Sequence, residues 1–242
     1  MAIRVSDIVK QTLTYINEYS ADMEEQDVSE SLGAQAKEDM LAQVDAAARL
    51  VAQVAPANMQ VATTDNAYTL TLNARPDGRL HGTAALPGDY MRLVYLVCNK
   101  LYRPITALLP STHPTYPMQF CPIAGLGNGD YSPIAYIVDG TIDVHSFGVQ
   151  SDDSQQEGQE TETVTIVYLV LPVITQASQG EFENIEAGTD VYKTLKEELR
   201  DVIAMQAAAL YLSMTDNAAA VTAQQMATGM LNGIVNKDIS KE

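Results

Sequence analysis

The stretch Ala135-Tyr-Ile-Val-Asp-Gly-Thr-Ile-Asp-Val-His-Ser146 decides the fold class. Two short runs rich in β-branched residues flank Asp139-Gly140, a dipeptide that favours a two-residue hairpin because both positions tolerate positive φ. The same period of two recurs on either side, in Tyr68-Thr-Leu-Thr-Leu-Asn73, Met91-Arg-Leu-Val-Tyr-Leu-Val-Cys98 and Val164-Thr-Ile-Val-Tyr-Leu-Val-Leu171. Arg75-Pro-Asp-Gly78 supplies turn chemistry after the first of these. The spacing predicts antiparallel sheet, arranged as a small sandwich or barrel. Ser151 to Thr163 contains no apolar residue and predicts a long, exposed, mobile hairpin loop between two strands, 141–146 and 164–171.

Outside this block the period changes to that of helices. Ser6 is a good N-cap for a helix over 6–19, with Ile8, Val9, Thr12, Leu13, Ile16 and Tyr19 on its apolar face. A second helix runs from about Ala34 to Ala55 with a narrow stripe of Ala36, Met40, Val44, Ala47, Val51 and Val54, and Pro56 ends it. Near the C-terminus, Thr189 or Asp190 caps a helix that carries Val191, Leu195, Leu199, Val202, Gln206, Ala209 and Leu210 on one face. Thr215 or Asp216 caps the last helix, whose stripe is Ala219, Ala223, Met226, Met230 and Ile234. The expectation is an α+β protein. A discontinuous bundle of two N-terminal and two C-terminal helices (1–58 and 188–242) holds an inserted antiparallel β domain (59–187), which carries the acidic loop at 151–163.

The 242 residues are 46% apolar and 19% charged, ordinary globular material. The outlier is charge: 31 Asp and Glu against 14 Lys and Arg, a net of −17. This disfavours a grip on nucleic acid, which needs Lys and Arg against phosphates, and docking on an anionic membrane. No signal peptide is visible at the N-terminus, and the greasy run Val164–Ile174 is about half a membrane span. Without secretion signals, Cys98 and Cys121 read as free, small apolar core residues.

The charge is segregated along the chain. Arg75, Arg79, Arg92, Lys100 and Arg103 form the densest basic segment. No Lys or Arg then occurs until Lys193, while twelve acids do, among them Asp152, Asp153, Glu157 and Glu160. Solvated acidic loops explain this as well as a surface that meets a complementary neighbour. On the second reading the five bases and these four acids are the candidate subunit or partner interface.

Catalytic patterns are weak. His81, His113 and His145 share no ligand spacing of the HxH or HExxH kind and read as turn or surface residues in separate segments. Gly125-Leu-Gly-Asn-Gly129 lacks the lysine of a phosphate loop and is followed by Asp130, so a plain loop is the better reading. No Cys-x-x-Cys and no G-x-S-x-G motif occurs. Asp139, Asp143 and Asp152-Asp153 could hold a Ca²⁺ ion, although the spaced ligand loop of an EF-hand is absent.

The order of several short segments resembles the head–tail adaptor (connector, or ring) proteins of short-tailed phages, especially crAss-like and other Bacteroidetes-infecting phages. The likeness begins with Leu86-Pro-Gly-Asp-Tyr-Met-Arg-Leu-Val-Tyr95, Arg103-Pro-Ile-Thr106, Tyr116-Pro-Met-Gln119 and Gly127-Asn-Gly-Asp-Tyr-Ser-Pro133. It continues through Ala135-Tyr136, Ile142-Asp-Val144, Val164 to Pro172, Tyr192, Leu195 and Leu199. It closes with Ala204-Met-Gln-Ala-Ala-Ala-Leu210 and Asp216-Asn-Ala-Ala-Ala220. The resemblance covers over half the chain. Two departures stand beside it: a longer N-terminal helical block than compact adaptors have, and strands that are less basic.

The resemblance implies a virion structural protein and not an enzyme, assembled in the host cytoplasm and placed at the head–tail junction, with no cofactor. Its partners would be further copies in a dodecameric ring, the portal protein and further tail or adaptor proteins. DNA would pass through the channel without specific binding, and no membrane is involved. The alternative from another class is an acidic, cation-dependent binding module or atypical hydrolase around Asp139, Asp143 and Asp152.

Overall fold

The hairpin at Asp139-Gly140 forms with both central residues at positive φ, 48° and 75°. That pair of angles matches the right-handed twist of the strands it joins. In a computed structural model, the residues described are 3–19, 34–63, 66–74, 79–98, 101, 103–120, 133–149, 161–175, 191–214 and 217–239. The chain is α+β and divides into two units, residues 1–61 with 171–242, and residues 62–170.

The β unit is built on one seven-stranded sheet. In chain order its strands are β2 (Asn66–Ala74), β3 (Arg79–Ala85), β4 (Tyr90–Val97), β5 (Leu108–Pro110), β6 (Ile134–Val138), β7 (Thr141–Val149) and β8 (Thr161–Val170). In space the order is β4-β8-β2-β3-β7-β6-β5. All neighbours are antiparallel except β5 and β6, which run parallel. This corrects the all-antiparallel expectation, and the reason is connection length: the chain between Pro110 and Ile134 is long enough to return to the same end of the sheet. The stretch 151–163 is not a hairpin loop, because β7 and β8 are separated by β3 and β2. Thr161, Glu162 and Thr163 belong to β8, where they pair with Thr71, Leu70 and Thr69; residues 151–160 lie outside those described.

The two ends of the sheet are joined through one segment. Leu96 of β4 exchanges backbone hydrogen bonds with Ile105, at 2.8 and 2.9 Å. Three residues later Leu108 opens β5 at the opposite end, paired with Ala135. Alternate residues point to a common interior, where Leu70, Leu96, Ile142, Val164 and Ile166 are fully buried with Leu72, Val144 and Tyr168. Each such aliphatic side chain contributes roughly 1.5–3 kcal/mol by leaving water. Cys98 is a free, buried member of this core, its thiol 3.5 Å from Glu162 Oε1; Cys121 lies outside the described residues.

The helical unit contains α1 (Val5–Tyr19), α2 (Ala34–Val54), α3 (Arg200–Leu212) and α4 (Asn217–Ile239). Helix α3 packs against each of the other three. Every residue from Val202 to Ala209 is buried, as an element apolar on all sides requires. Gln206 is satisfied by Gln224 of α4, Nε2 to Oε1 at 2.8 Å. Thr12 of α1 hydrogen-bonds the carbonyls of Ile8 and Ala204. Gln60 donates to the carbonyls of Ala52 and Ala55 at the end of α2.

A small sheet joins β1 (Ile3–Arg4), β10 (Val191–Tyr192) and β9 (Ile174–Thr175) in the order β1-β10-β9, antiparallel throughout. It changes three sequence-based expectations. Ser6 is not an N-cap but the second residue of α1, since the chain enters the helix straight from β1. Val191 lies in a strand and not on a helix, so α3 starts at Arg200, after a short 3₁₀ turn at Glu197–Leu199. The proposed caps Thr189, Asp190, Thr215 and Asp216 lie outside the described residues.

Two stripes hold at most of their positions and fail at Val54 and Met226. In α2, Val54 is 62% exposed while Ala48, Ala52 and Ala55 are buried beside Met40, Val44, Ala47 and Val51. In α4 the buried side is Ala219, Ala220, Ala223 and Ala227, and Met226 faces out. Alanine shares the inner face of α2 with Met40, Val44 and Val51 and makes up the buried face of α4, where it lets backbones approach closely. Among the described residues no helix is long and apolar enough to cross a membrane.

Candidate functional site

The chemistry of the β unit concentrates on the outer face of β3 and β7. Along β7 the alternation sends Ile142 and Val144 into the core, which puts Asp143 and His145 on the opposite face. Thr83 of β3 sits opposite Asp143, and Gly82 opposite Val144. The next pair is Leu80 with Phe147, so His81 alone faces both His145 and Ser146. This one-against-two count is a β-bulge, a device that re-aims side chains. It brings together three residues, with His81 62 positions before Asp143 in sequence.

Asp143 is the hub. Its Oδ1 lies 3.0 Å from His81 Nδ1, and its Oδ2 lies 3.1 Å from His145 Nε2. A carboxylate only accepts, so each imidazole donates its N–H to it, which fixes the tautomer of both rings. His145 is fully buried, Asp143 is 6% exposed, and His81 is half-buried. Burial by itself raises the Asp143 pKa, but the hydrogen bonds and charges of His145 and His81 outweigh it. The carboxyl is therefore held well below the ordinary carboxylate range.

An aromatic wall closes over His145. Tyr116 and Phe120, from the segment after β5, and Tyr136 of β6 meet its ring at 81°, 86° and 78°, with centroids 6.2, 5.5 and 5.6 Å away. The remaining nitrogen, His145 Nδ1, is buried with no hydrogen-bond partner. The wall has its own polar tie: Tyr136 hydroxyl to Thr115 Oγ1 at 2.9 Å, and Thr115 Oγ1 to His113 Nδ1 at 2.7 Å. All three histidines of the chain thus belong to one neighbourhood. Burial of the Tyr116 hydroxyl, then the charges of Asp143 and Asp139, raise its pKa.

This arrangement corrects the reading of His81 and His145 as turn or surface residues, while His113 does lie in a turn. A period-two reading of Ile142-Asp-Val-His145 would have put Asp143 and His145 on one face. The partnership with His81 needed the pairing of β3, a strand that the histidine, glycine and threonine at 81–83 conceal in the sequence. The acidic trio expected at Asp139, Asp143 and Asp152 does not govern the site. Asp143 is engaged by two imidazoles, Asp139 is an exposed hairpin residue, and Asp152 lies outside the described residues.

Of the expected interface residues, Arg79 lies in β3, Arg92 is half-buried in β4, and Arg103 is exposed in the connection after β4. Arg75, Lys100, Asp152, Asp153, Glu157 and Glu160 lie outside the described residues.

A different polar group marks the helical unit. Asp45 of α2 pairs with Arg49 one turn on, at 2.9 Å, and accepts from the buried Tyr192 hydroxyl at 3.2 Å. Burial, and next the Asp45 charge, push the Tyr192 pKa far above its usual value. This group is a structural anchor between α2 and β10.

No family model matches the chain, and neither does any curated protein.

Proposed function

We propose that the chain is a virion structural protein of a short-tailed phage, a head–tail adaptor that assembles into a ring and catalyses no reaction. In this reading the two N-terminal and two C-terminal helices act as one discontinuous bundle that packs beside the same bundle in the next copy. The ring, dodecameric in the family that the sequence resembles, joins the portal to further tail proteins. DNA passes through without being held, as suits a chain of net charge −17.

The observation that carries the proposal is the outer side of α4. Its inner face is spent on alanines packed against α3, while Val221 is 57% exposed and Met226 44% exposed. Met214, just before the helix, is 62% exposed, and an open groove beside it is lined by Leu210, Ala220, Val221 and Gln224. The occupant that fits is a second copy. A head-to-tail contact between unlike surfaces closes into a ring when its rotation divides the circle.

Native mass measurement of the protein alone and mixed with the portal tests this. The expected result is a high-order closed oligomer, or a portal-bound ring, that the double variant Val221→Glu/Met226→Glu fails to form. A protein that stays monomeric with the portal present overturns the proposal, as does a double variant that assembles normally.

A further inference from the structure

We propose that His81, Asp143 and His145 form a site for one divalent transition-metal ion of the zinc class, held by two imidazole nitrogens and one carboxylate oxygen. The ligand atoms, His81 Nδ1, His145 Nε2 and an Asp143 oxygen, all lie within 4.8 Å of one another. A tetrahedral ion with bonds of about 2.0–2.2 Å holds its ligands roughly 3.3 Å apart. The observed nitrogen–oxygen separations are 3.0 and 3.1 Å. Small side-chain shifts therefore open the cluster around an ion, each neutral imidazole moving its proton to the nitrogen that does not bind the metal.

Donor type selects the metal. Ca²⁺ and Mg²⁺ take oxygen ligands, whereas two imidazoles with one carboxylate suit zinc and its transition-metal neighbours. Three protein ligands leave a fourth position for water.

Three further observations point the same way. First, Asp143 is an enclosed carboxylate, and among the described residues the side chains hydrogen-bonded to its two oxygens are His81 and His145. Neutral imidazoles give it hydrogen bonds but no counter-charge, and a buried carboxylate without one is costly. A dication supplies the charge and leaves both rings neutral. Second, the bulge lies at this point of β7, where a plain ladder would pair His81 with a single residue. Third, a metal on His145 Nε2 moves the ring proton to Nδ1, the buried nitrogen that has no conventional partner. Three aromatic rings stand nearly perpendicular to the His145 ring, close enough for ring N–H to π contact. The ion would staple β3 to β7 where their ladder is interrupted, whatever the protein's larger assembly.

The test uses the untagged full-length protein, dialysed against EDTA and titrated with ZnCl₂ by calorimetry, with metal content measured after gel filtration. The expected result is one tightly held equivalent of zinc, and a Tm rise of roughly 5–11 °C at a hundredfold excess of free zinc over Kd. His81→Gln, at a half-buried position, should weaken binding at least tenfold, whereas His113→Gln should keep the full equivalent. Failure of the wild-type protein to retain zinc overturns the proposal, and so does a folded His81→Gln variant that binds as tightly. Should that variant not fold, Co²⁺ added to the wild-type protein decides. The visible spectrum of a tetrahedral nitrogen–oxygen site supports the assignment, and the spectrum of hydrated Co²⁺ overturns it.

Discussion

The two units of this chain bury different materials. The helical unit mixes alanine with larger side chains: Ala47, Ala48 and Ala52 of α2, Ala204, Ala207, Ala208 and Ala209 of α3, and Ala219, Ala220, Ala223 and Ala227 of α4 are buried together with Ile8, Met40, Ile203 and Leu212. The β unit is packed on bulk, and Ala135 is the sole alanine among its buried core residues. Alanine removes little apolar surface from water, so the helices gain stability from close approach along their whole length. The sheet gains it from individual large side chains. Close approach at alanine thus adds to bulk in the helical unit, while the described core of the sheet relies on bulk.

Three measurements bear on this contrast. The largest effect belongs to the sheet core, where Leu96→Ala should destabilise by roughly 2–5 kcal/mol through lost transfer energy and a cavity. Hydrogen exchange resolved by segment should locate that loss in residues 62–170. A loss spread equally over both units would show that they do not differ in this way.

The complementary change is Ala223→Leu, which inserts bulk at a fully buried position of α4. Overpacking should cost roughly 1–3 kcal/mol, read as a lower Tm and faster exchange in α3 and α4. A neutral or stabilising result would mean that the alanine contacts are loose and that close approach is not what holds these helices.

The smallest effect at neutral pH is the titration of Asp143, whose pKa is depressed in the folded protein. The stability it confers is fully present above about pH 4, the ordinary carboxylate value, and is lost as pH falls below that toward the native value. Acid should thus weaken the β unit first, and Asp143→Asn should flatten the dependence. Identical acid curves for the two proteins would remove Asp143 from the acid response.

Much of the architecture was legible where local chemistry dominates. The Asp139-Gly140 turn, the alternating strands and the existence of all four helices follow from spacing and turn residues. Helix phase was harder to read. Stripes drawn through Val54 and Met226 fail because alanine at Ala48, Ala52 and Ala227 carries no strong signal, yet it fills the inner face. The strands β1, β9 and β10, two residues each, are invisible without their partners, and Val191 was consequently assigned to a helix. The histidine–aspartate cluster was missed for a related reason. Spacing rules detect ligands on one element, whereas His81 reaches Asp143 through strand pairing and a bulge.

The segment from Ile105 to Pro110 carries a consequence for the protein at high concentration. Sheets aggregate when an outer strand presents unpaired N–H and C=O groups that another chain can copy. Here that short run satisfies Leu96 on one side and Ala135 to Ile137 on the other, and Pro110 lacks an N–H to offer a newcomer. Chains crowded together during synthesis thus find less template for fibrous stacking at this point of the sheet. A loop change at 105–110 should be read first in the solubility of the protein.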